Sequence, residues 1–118
     1  NKPLEEMHDK SEFIASLQTI ISQYILEKEL SIDMIAELAG CATRTLQRKL
    51  KEYEISYTGL LNEARMHYAC TKLKVTGMKM TEIAQQLGYN DTAHFTRAFK
   101  RWTGVSPSVY RKNAADKR

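Results

Sequence analysis

The stretch IAQQLGYNDTAHFTRAFK, residues 83–100, repeats the pattern of an earlier stretch, IAELAGCATRTLQRKLK, residues 35–51. In each copy an Ile-Ala pair is followed by a Gly, and then by two large apolar residues spaced four apart in a basic segment. The second copy has one extra residue in its turn, so the offset between the copies changes from 48 to 49 residues. Repetition of this kind indicates two copies of one small structural unit.

Each copy has the layout of a helix-turn-helix, in which a short helix ends at glycine and a tight turn leads to a second helix. The alanine allows the two helices to cross closely, and the glycine makes the turn without the steric penalty of a Cβ atom. Burial of Leu46 and Leu50 in one crossing, and of Phe95 and Phe99 in the other, leaves the opposite face of each second helix exposed. The residues on those exposed faces therefore decide the function.

The whole chain is predicted to be all-α, with seven helices and two helix-turn-helix subdomains joined by a long linker helix. Apolar residues recur three and four apart from end to end, and no stretch alternates apolar and polar residues. Apolar spacing and capping residues predict where the seven helices begin. The first runs from about Ser11 to Lys28, the second follows the N-cap Ser31 and stops at Gly40, and the third follows the N-cap Thr43. The fourth follows the N-cap Ser56 and runs from about Tyr57 to Val75, the fifth begins at Met80, the sixth follows the N-cap Asp91, and the seventh begins at Ser106 and Pro107. The fourth of these is of the order of 30 Å long.

Five segments are expected along the chain. They are a linker remnant over 1–11, a first helix-turn-helix subdomain over 12–55, a linker helix over 56–76, a second helix-turn-helix subdomain over 77–113 and a disordered tail over 114–118. The chain opens on Asn1 and not on Met, so we expect it to be a fragment of a longer protein.

The charge is distributed unevenly. Residues 1–40 carry three Lys or Arg against eight Asp or Glu, a net of −5, whereas residues 41–118 carry fifteen against six, a net of +9. The positive field therefore belongs to the part that contains the two repeats. It indicates a polyanion as partner, and the alternative is a solvated basic face without one.

Other classes of function have little support in the sequence. Cys41 and Cys70 lack further ligands at metal-binding spacing, so both are predicted to be small buried residues, and no metal, disulfide or cofactor is expected. Trp102 and Tyr110 are predicted to fill core space. No apolar run or leader indicates a membrane span or secretion, so we expect no membrane partner and a cytoplasmic location. The absence of a nucleophile with a base argues against an enzyme.

The exposed faces of the two second helices carry side chains that can contact DNA. The outward residues of the first are Arg44, Thr45, Gln47, Arg48, Lys51 and Glu52, and those of the second are Thr92, His94, Thr96, Arg97, Lys100 and Arg101. Arginine can bond both acceptors of a guanine edge, glutamine matches adenine, and lysine and threonine contact phosphates. The alternative for each arginine is a solvated residue or a helix ion pair, and for His94 it is a structural histidine.

These motifs give the sequence a close resemblance to the AraC/XylS family of bacterial transcription regulators over residues 12–112. The second unit matches the family signature through IAQQLGYNDTAHFTRAFKRWTGVSPSVYR, which includes Ala84, Gly88, Tyr89, Phe95, Arg97, Phe99, Lys100, Gly104, Pro107 and Tyr110. The first unit matches through Ala36, Gly40, LQRKL, Ser56, Leu61 and Arg65.

The resemblance implies two recognition helices that enter successive major-groove segments on one face of DNA. By motif position, the residues that face the first segment are Arg44, Gln47 and Arg48, and those that face the second are Thr92, Ala93, His94 and Arg97. The side chain of Ala93 cannot form a hydrogen bond, so its readout is either limited to a thymine methyl group or absent. A linker helix of about 30 Å agrees with the roughly 34 Å that separate such segments.

Two residues depart from the family pattern. Glu54 stands where relatives often have Gly after the recognition helix, and because a left-handed conformation costs Glu about 1 kcal/mol, a differently shaped helix end is expected. Lys79 occupies the N-cap place of the fifth helix and cannot accept the capping hydrogen bond, so a frayed helix start is expected.

The expected partner is double-stranded DNA, read sequence-specifically. The resemblance also implies an activator that contacts RNA polymerase, and an N-terminal effector or dimerisation domain outside this chain. The alternative is a basic helical module that docks an acidic protein without sequence-specific readout of DNA.

Overall fold

The computed structural model describes residues 3–75 and 77–116. Within these ranges it contains no strand, one short 3-10 helix and seven α-helices, so the predicted fold class is confirmed. The elements are the 3-10 helix Leu4–Glu6, α1 (Lys10–Gln23), α2 (Ile32–Leu38), α3 (Thr43–Glu52), α4 (Tyr57–Val75), α5 (Met80–Gln86), α6 (Thr92–Thr103) and α7 (Pro107–Asp116). The chain divides into two compact units, 1–64 and 65–118, and the division falls inside α4.

Four predicted N-caps are confirmed, because each side chain accepts a hydrogen bond from a backbone N–H in the first turn of its helix. The acceptors are Ser31 (3.1 Å), Ser56 (3.1 Å), Asp91 (2.8 Å) and Ser106 (3.3 Å). Each bond satisfies one of the N–H groups that have no partner within a helix. Lys79 provides no such bond at the start of α5, as predicted.

Two predicted helix boundaries were wrong. Thr43 is the first residue of α3 and not its N-cap, and Ala42 at the cap position makes no side-chain bond. The first helix ends at Gln23 and not at Lys28, because the chain turns at Tyr24, whose N–H donates to the carbonyl of Ile21 at 3.1 Å.

The predicted domain boundaries remain predictions. Helix α7 continues to Asp116 and so includes the first three residues of the predicted tail, 114–116. Lys117, Arg118 and Thr76, the last residue of the predicted linker helix, lie outside the described residues.

Helices α2, α3 and α5 end in the same type of turn. A residue with positive φ follows each helix, and the next N–H donates to a carbonyl five residues earlier: Cys41 to Ala36 at 3.0 Å, Ile55 to Leu50 at 2.9 Å and Tyr89 to Ala84 at 2.9 Å. The positive-φ residue is Gly40 (72°) after α2, Gly88 (88°) after α5 and Glu54 (56°) after α3. The expectation of a different end at Glu54 was therefore wrong, because the backbone bond of Ile55 holds Glu54 in the conformation that favours glycine.

Replacement of Glu54 by glycine is expected to stabilise the first unit. Removal of the Cβ atom relieves a left-handed strain of about 1 to 2 kcal/mol, and the added freedom of the unfolded chain offsets part of it, so Glu54→Gly should raise the free energy of unfolding by about 0.5 to 1 kcal/mol. Urea unfolding followed by circular dichroism measures the change. Gly40→Ala is the matched control and should lower stability by about 1 kcal/mol; a loss of stability in Glu54→Gly would contradict the strain argument.

In the first unit, α1 packs against α2 and α2 against α3. Its most buried side chains come from α1 and from the repeat, and they include Phe13, Leu17, Ile21, Ile35, Ala36, Leu46 and Leu50. The apolar or aromatic side chains of Ile14, Ile20 and Tyr24, in and just after α1, are only half-buried. The crossing of α2 and α3 thus hides the apolar side of α3.

In the second unit, α6 packs against α5 and α7 around a row of aromatic rings. The ring centroids lie 5.6 Å apart for Tyr89 and Phe95, 5.9 Å for Phe95 and Phe99, and 5.5 Å for Phe99 and Tyr110. Arg111 of α7 donates from Nε to the carbonyl of Leu73 at 3.1 Å, in the last turn of α4, where carbonyls lack a partner within the helix. This packing fixes the apolar side of α6.

Candidate nucleic-acid interface

The exposed face of α3 carries most of the residues that the sequence assigned to it. Leu46 and Leu50 are buried on the other side of the helix. The exposed side chains are Arg44, Gln47, Arg48 and Lys51, whereas Thr45 is half-buried. Because the apolar side is fixed by packing, the positions of the three cations follow from the helix geometry alone, and they lie three and four residues apart.

Arg48 forms an ion pair with Glu52 at the next turn of α3. Its Nε lies 3.8 Å from Oε1 of Glu52, and the two side chains are 62% and 59% exposed. The alternative reading of this arginine, a helix ion pair, is therefore present in the structure. An exposed pair of this type contributes only about 0.3 to 0.5 kcal/mol, so an anionic ligand at the surface competes with Glu52 for the guanidinium.

The exposed face of α6 is built in the same way. The carboxylate of Asp91 accepts the N–H of Ala93 at 2.8 Å and fixes the helix start, while Phe95 and Phe99 are fully buried. The exposed side chains are Ala93, His94, Arg97, Lys100 and Arg101, and those of Thr92 and Thr96 are half-buried.

The two faces carry the same cation at two equivalent positions. With the offset of 49, Arg48 corresponds to Arg97 and Lys51 to Lys100, and all four side chains are exposed. Arg44 corresponds to Ala93, so the first turn of α3 carries a cation that α6 lacks. Each unit thus presents an arginine and a lysine at the same places on its second helix.

Lys49, which the sequence reasoning missed, is buried on the flank of α3. It is only 6% exposed, and its Nζ donates to the carbonyl of Met7 at 2.7 Å. Its position three residues after the buried Leu46 was the available signal, because residues three apart lie on one side of a helix.

Three predictions of burial need correction. Trp102 is 42% exposed. It lies in the last turn of α6, and its ring is nearly perpendicular to that of His67, with ring centroids 5.1 Å apart. Cys41 and Cys70 are half-buried and not fully buried. Tyr110 is half-buried against Phe99.

Burial raises the pKa of the Cys41 thiol. The carboxylate of Glu5 raises this pKa further, and the ammonium group of Lys49 opposes the increase.

Other types of site find no support in the part of the chain that the structure describes. No group of three His, Cys, Asp or Glu side chains in it lies close enough together to hold a metal ion. No helix among the residues in 3–75 and 77–116 combines the length and the apolar character needed to cross a bilayer.

Comparison with known proteins gives a consistent result. A family model described as a helix-turn-helix domain matches residues 35–113. An uncharacterised HTH-type transcriptional regulator of Mycobacterium tuberculosis is 43% identical over 67 residues, which are 57% of this chain and 20% of that protein. The transcriptional activator NphR of a Rhodococcus species is 27% identical over 106 residues, which are 90% of this chain and 32% of NphR. The chain thus spans a third or less of the length of these two relatives.

A solved structure supports the same assignment. The crystal structure of a DNA-binding transcriptional dual regulator from Escherichia coli K-12 matches with a TM-score of 0.78 and 28% identity, over 87% of this chain and 92% of that chain. The family model alone covers well over half of the sequence. The chain therefore belongs to the AraC/XylS family of transcription regulators, as a DNA-binding helix-turn-helix domain and not an enzyme.

Proposed function

We propose that this domain reads a specific DNA sequence by inserting α3 and α6 into two successive segments of the major groove. The observation that carries the proposal is the repetition of an exposed arginine and lysine at equivalent positions of α3 and α6. Helix α4 joins the two units with 19 residues.

The residues of α3 take different roles in this proposal. Arg44 and Arg48 can each donate two hydrogen bonds to the edge of one guanine. Gln47 has the donor and the acceptor that match the edge of adenine. Lys51 and the half-buried Thr45 contact phosphates, which fix the position of the helix on the duplex.

The residues of α6 divide in the same way. Arg97 reads a guanine edge, His94 contacts a base or a phosphate from the first turn, and Ala93 contacts a thymine methyl group. Lys100 contacts a phosphate near the C-terminal end of α6. Thr92 and Thr96 contact phosphates nearer the start of the helix.

We further propose that the domain is part of a cytoplasmic activator. The transcriptional activator NphR matches 90% of this chain. The relatives described above are three to five times longer than the matched region, which leaves room in such proteins for an effector or dimerisation domain. Contact with RNA polymerase is the expected route to activation.

Selection of bound sites from random double-stranded DNA by the purified domain tests the proposal. Sequence-specific readout predicts a selected motif that binds more than about a thousandfold more tightly than unrelated DNA at physiological salt. A basic protein-interaction module would bind DNA with a steep salt dependence but select no motif, and that result would replace the proposed function by the alternative one.

Lys100→Ala is expected to weaken binding to all DNA sequences by the same factor. Loss of one phosphate contact should make the slope of log affinity against log salt shallower by about 0.9, while the selected motif stays the same. Fluorescence anisotropy over a salt series measures both quantities. Lys10→Ala, an exposed lysine at the start of α1, is the control and should leave the slope unchanged. A change of base preference in Lys100→Ala would count against a phosphate contact.

A further inference from the structure

The buried ammonium group of Lys49 holds a part of the chain that lies far from it in sequence. Its Nζ donates to the carbonyl of Met7 at 2.7 Å and lies 5.8 Å from the centre of the Phe13 ring. A buried charge is costly unless it is hydrogen-bonded, and these contacts compensate the loss of water. Lys49 therefore ties the inner side of α3 to the segment that precedes α1.

This segment, Leu4–Asp9, makes further contacts with the first unit. Leu4 and Met7 are 3% and 6% exposed, so its apolar side chains are part of the core. One turn after Lys49, the hydroxyl of Tyr53 donates to the carbonyl of His8 at 3.3 Å, and the Tyr53 ring lies 5.2 Å from that of Phe13. The side chains of Lys49, in α3, and of Tyr53, which directly follows α3, thus bind two consecutive backbone carbonyls of the segment.

The second unit provides an internal comparison. With the offset of 49, Lys49 corresponds to Ala98 and Tyr53 to Trp102. Phe95 and Phe99 are fully buried in α6 without a lysine at that place, and the side chain of Trp102 is exposed. A helix-turn-helix of this fold therefore forms without the lysine, so Lys49 has a task beyond burial of the apolar side of its helix.

We propose that Lys49 is a positioning residue for DNA readout, which fastens the segment Leu4–Asp9 to α3 and thereby sets the orientation of Arg44 and Arg48. The proposal rests on the proposed function of α3. Lys49 itself does not reach DNA, because its side chain points to Met7, on the side away from the exposed cations. The hydrogen bond of Lys49 is the contact that joins the segment directly to a buried position of α3.

The pair Lys49→Met and Lys51→Met tests the proposal. Both variants keep an unbranched side chain of nearly the same length and lose the charge, one on the inner and one on the outer side of α3. Lys49→Met should speed hydrogen exchange of the Met7 amide, which donates to the carbonyl of Leu4 at 3.1 Å, by about tenfold or more. Lys51→Met should leave this exchange rate unchanged.

DNA binding by the same two variants separates positioning from phosphate contact. Lys49→Met should lose about tenfold in affinity for the selected site, as for a lost hydrogen bond of a charged group, with an unchanged salt slope. The loss should vanish on DNA in which the half-site of α3 is scrambled. Lys51→Met should reduce the salt slope by about 0.9. An unchanged Met7 exchange rate in Lys49→Met, or a reduced salt slope, would overturn the proposal.

A second variant covers the case in which Lys49→Met unfolds the first unit. Tyr53→Phe removes only the hydroxyl that donates to the carbonyl of His8, keeps the ring against Phe13 and changes no exposed residue of α3. It should give a smaller loss of affinity on the complete site and none on the scrambled half-site. Wild-type affinity of this variant would overturn the proposal. If the wild-type domain selects no DNA motif, the proposed function is refuted. The hydrogen-exchange measurement needs no DNA, so the exchange rate of the Met7 amide still decides whether Lys49 holds the segment.

Discussion

Phe99→Ala is expected to destabilise the second unit by about 3 to 5 kcal/mol. The side chain is fully buried, and its ring lies 5.9 Å from that of Phe95 and 5.5 Å from that of Tyr110, so truncation opens a cavity in the centre of the aromatic row. A loss of this size is a large part of the stability of a small domain. Binding to the selected DNA site should fall with the folded fraction of the second unit.

Urea unfolding followed by tryptophan fluorescence measures this loss in the second unit alone. Trp102 is the single tryptophan and lies on α6 against His67, so its emission reports on this unit. Val109→Ala on α7 is the control, because the side chain is 44% exposed, and its effect should stay within about 0.5 kcal/mol. A loss below about 1 kcal/mol in Phe99→Ala would show that the row of rings does not hold the unit together.

Arg97→Ala is expected to weaken binding to the selected DNA site by about 1 to 3 kcal/mol and to relax the base preference at one or two positions. The arginine is exposed and lies on the side of α6 opposite the buried Phe95 and Phe99, so its removal should leave the unit folded. Repetition of the site selection with the variant measures the preference, and anisotropy measures the affinity.

Two variants delimit the interpretation of Arg97→Ala. Arg48→Ala is the equivalent change on α3 and should relax the preference in the other half of the site. Lys112→Ala, an exposed cation on α7, should leave the preference as it is. If Arg97→Ala lowered the affinity for all sequences equally, Arg97 would contact phosphate and not a base.

The helices and their starts could be predicted because local sequence encodes them. Ser31, Ser56, Asp91 and Ser106 satisfy N–H groups within three residues, so their role depends on nothing distant. The same holds for the bounds of α4, which agree with the predicted Tyr57 and Val75. The early end of the first helix was not predicted, because the turn that begins at Tyr24 contains neither Gly nor Pro, the residues that most often mark a turn in a sequence.

The features that were missed depend on contacts between distant residues. Lys49 belongs to a basic run that is typical of a solvated face, and the carbonyl that compensates its buried charge belongs to Met7, 42 residues away. Tryptophan usually fills cores, but Trp102 lies in the last turn of α6 and is 42% exposed. Thus the exposed faces of α3 and α6 could be predicted from the apolar residues on their buried faces. The contact of Lys49 with the segment before α1 could not.

Phasing of the two half-sites tests most directly the claim that α3 and α6 read two segments of one DNA face. The affinity of the wild-type domain is measured for the selected site and for the same site with about 5 bp, half a helical turn, inserted between the half-sites. We predict a loss of more than about a hundredfold, because one half-site then faces the opposite side of the duplex. Equal affinity for the two DNAs would contradict the account, since a single helix would then suffice for the readout.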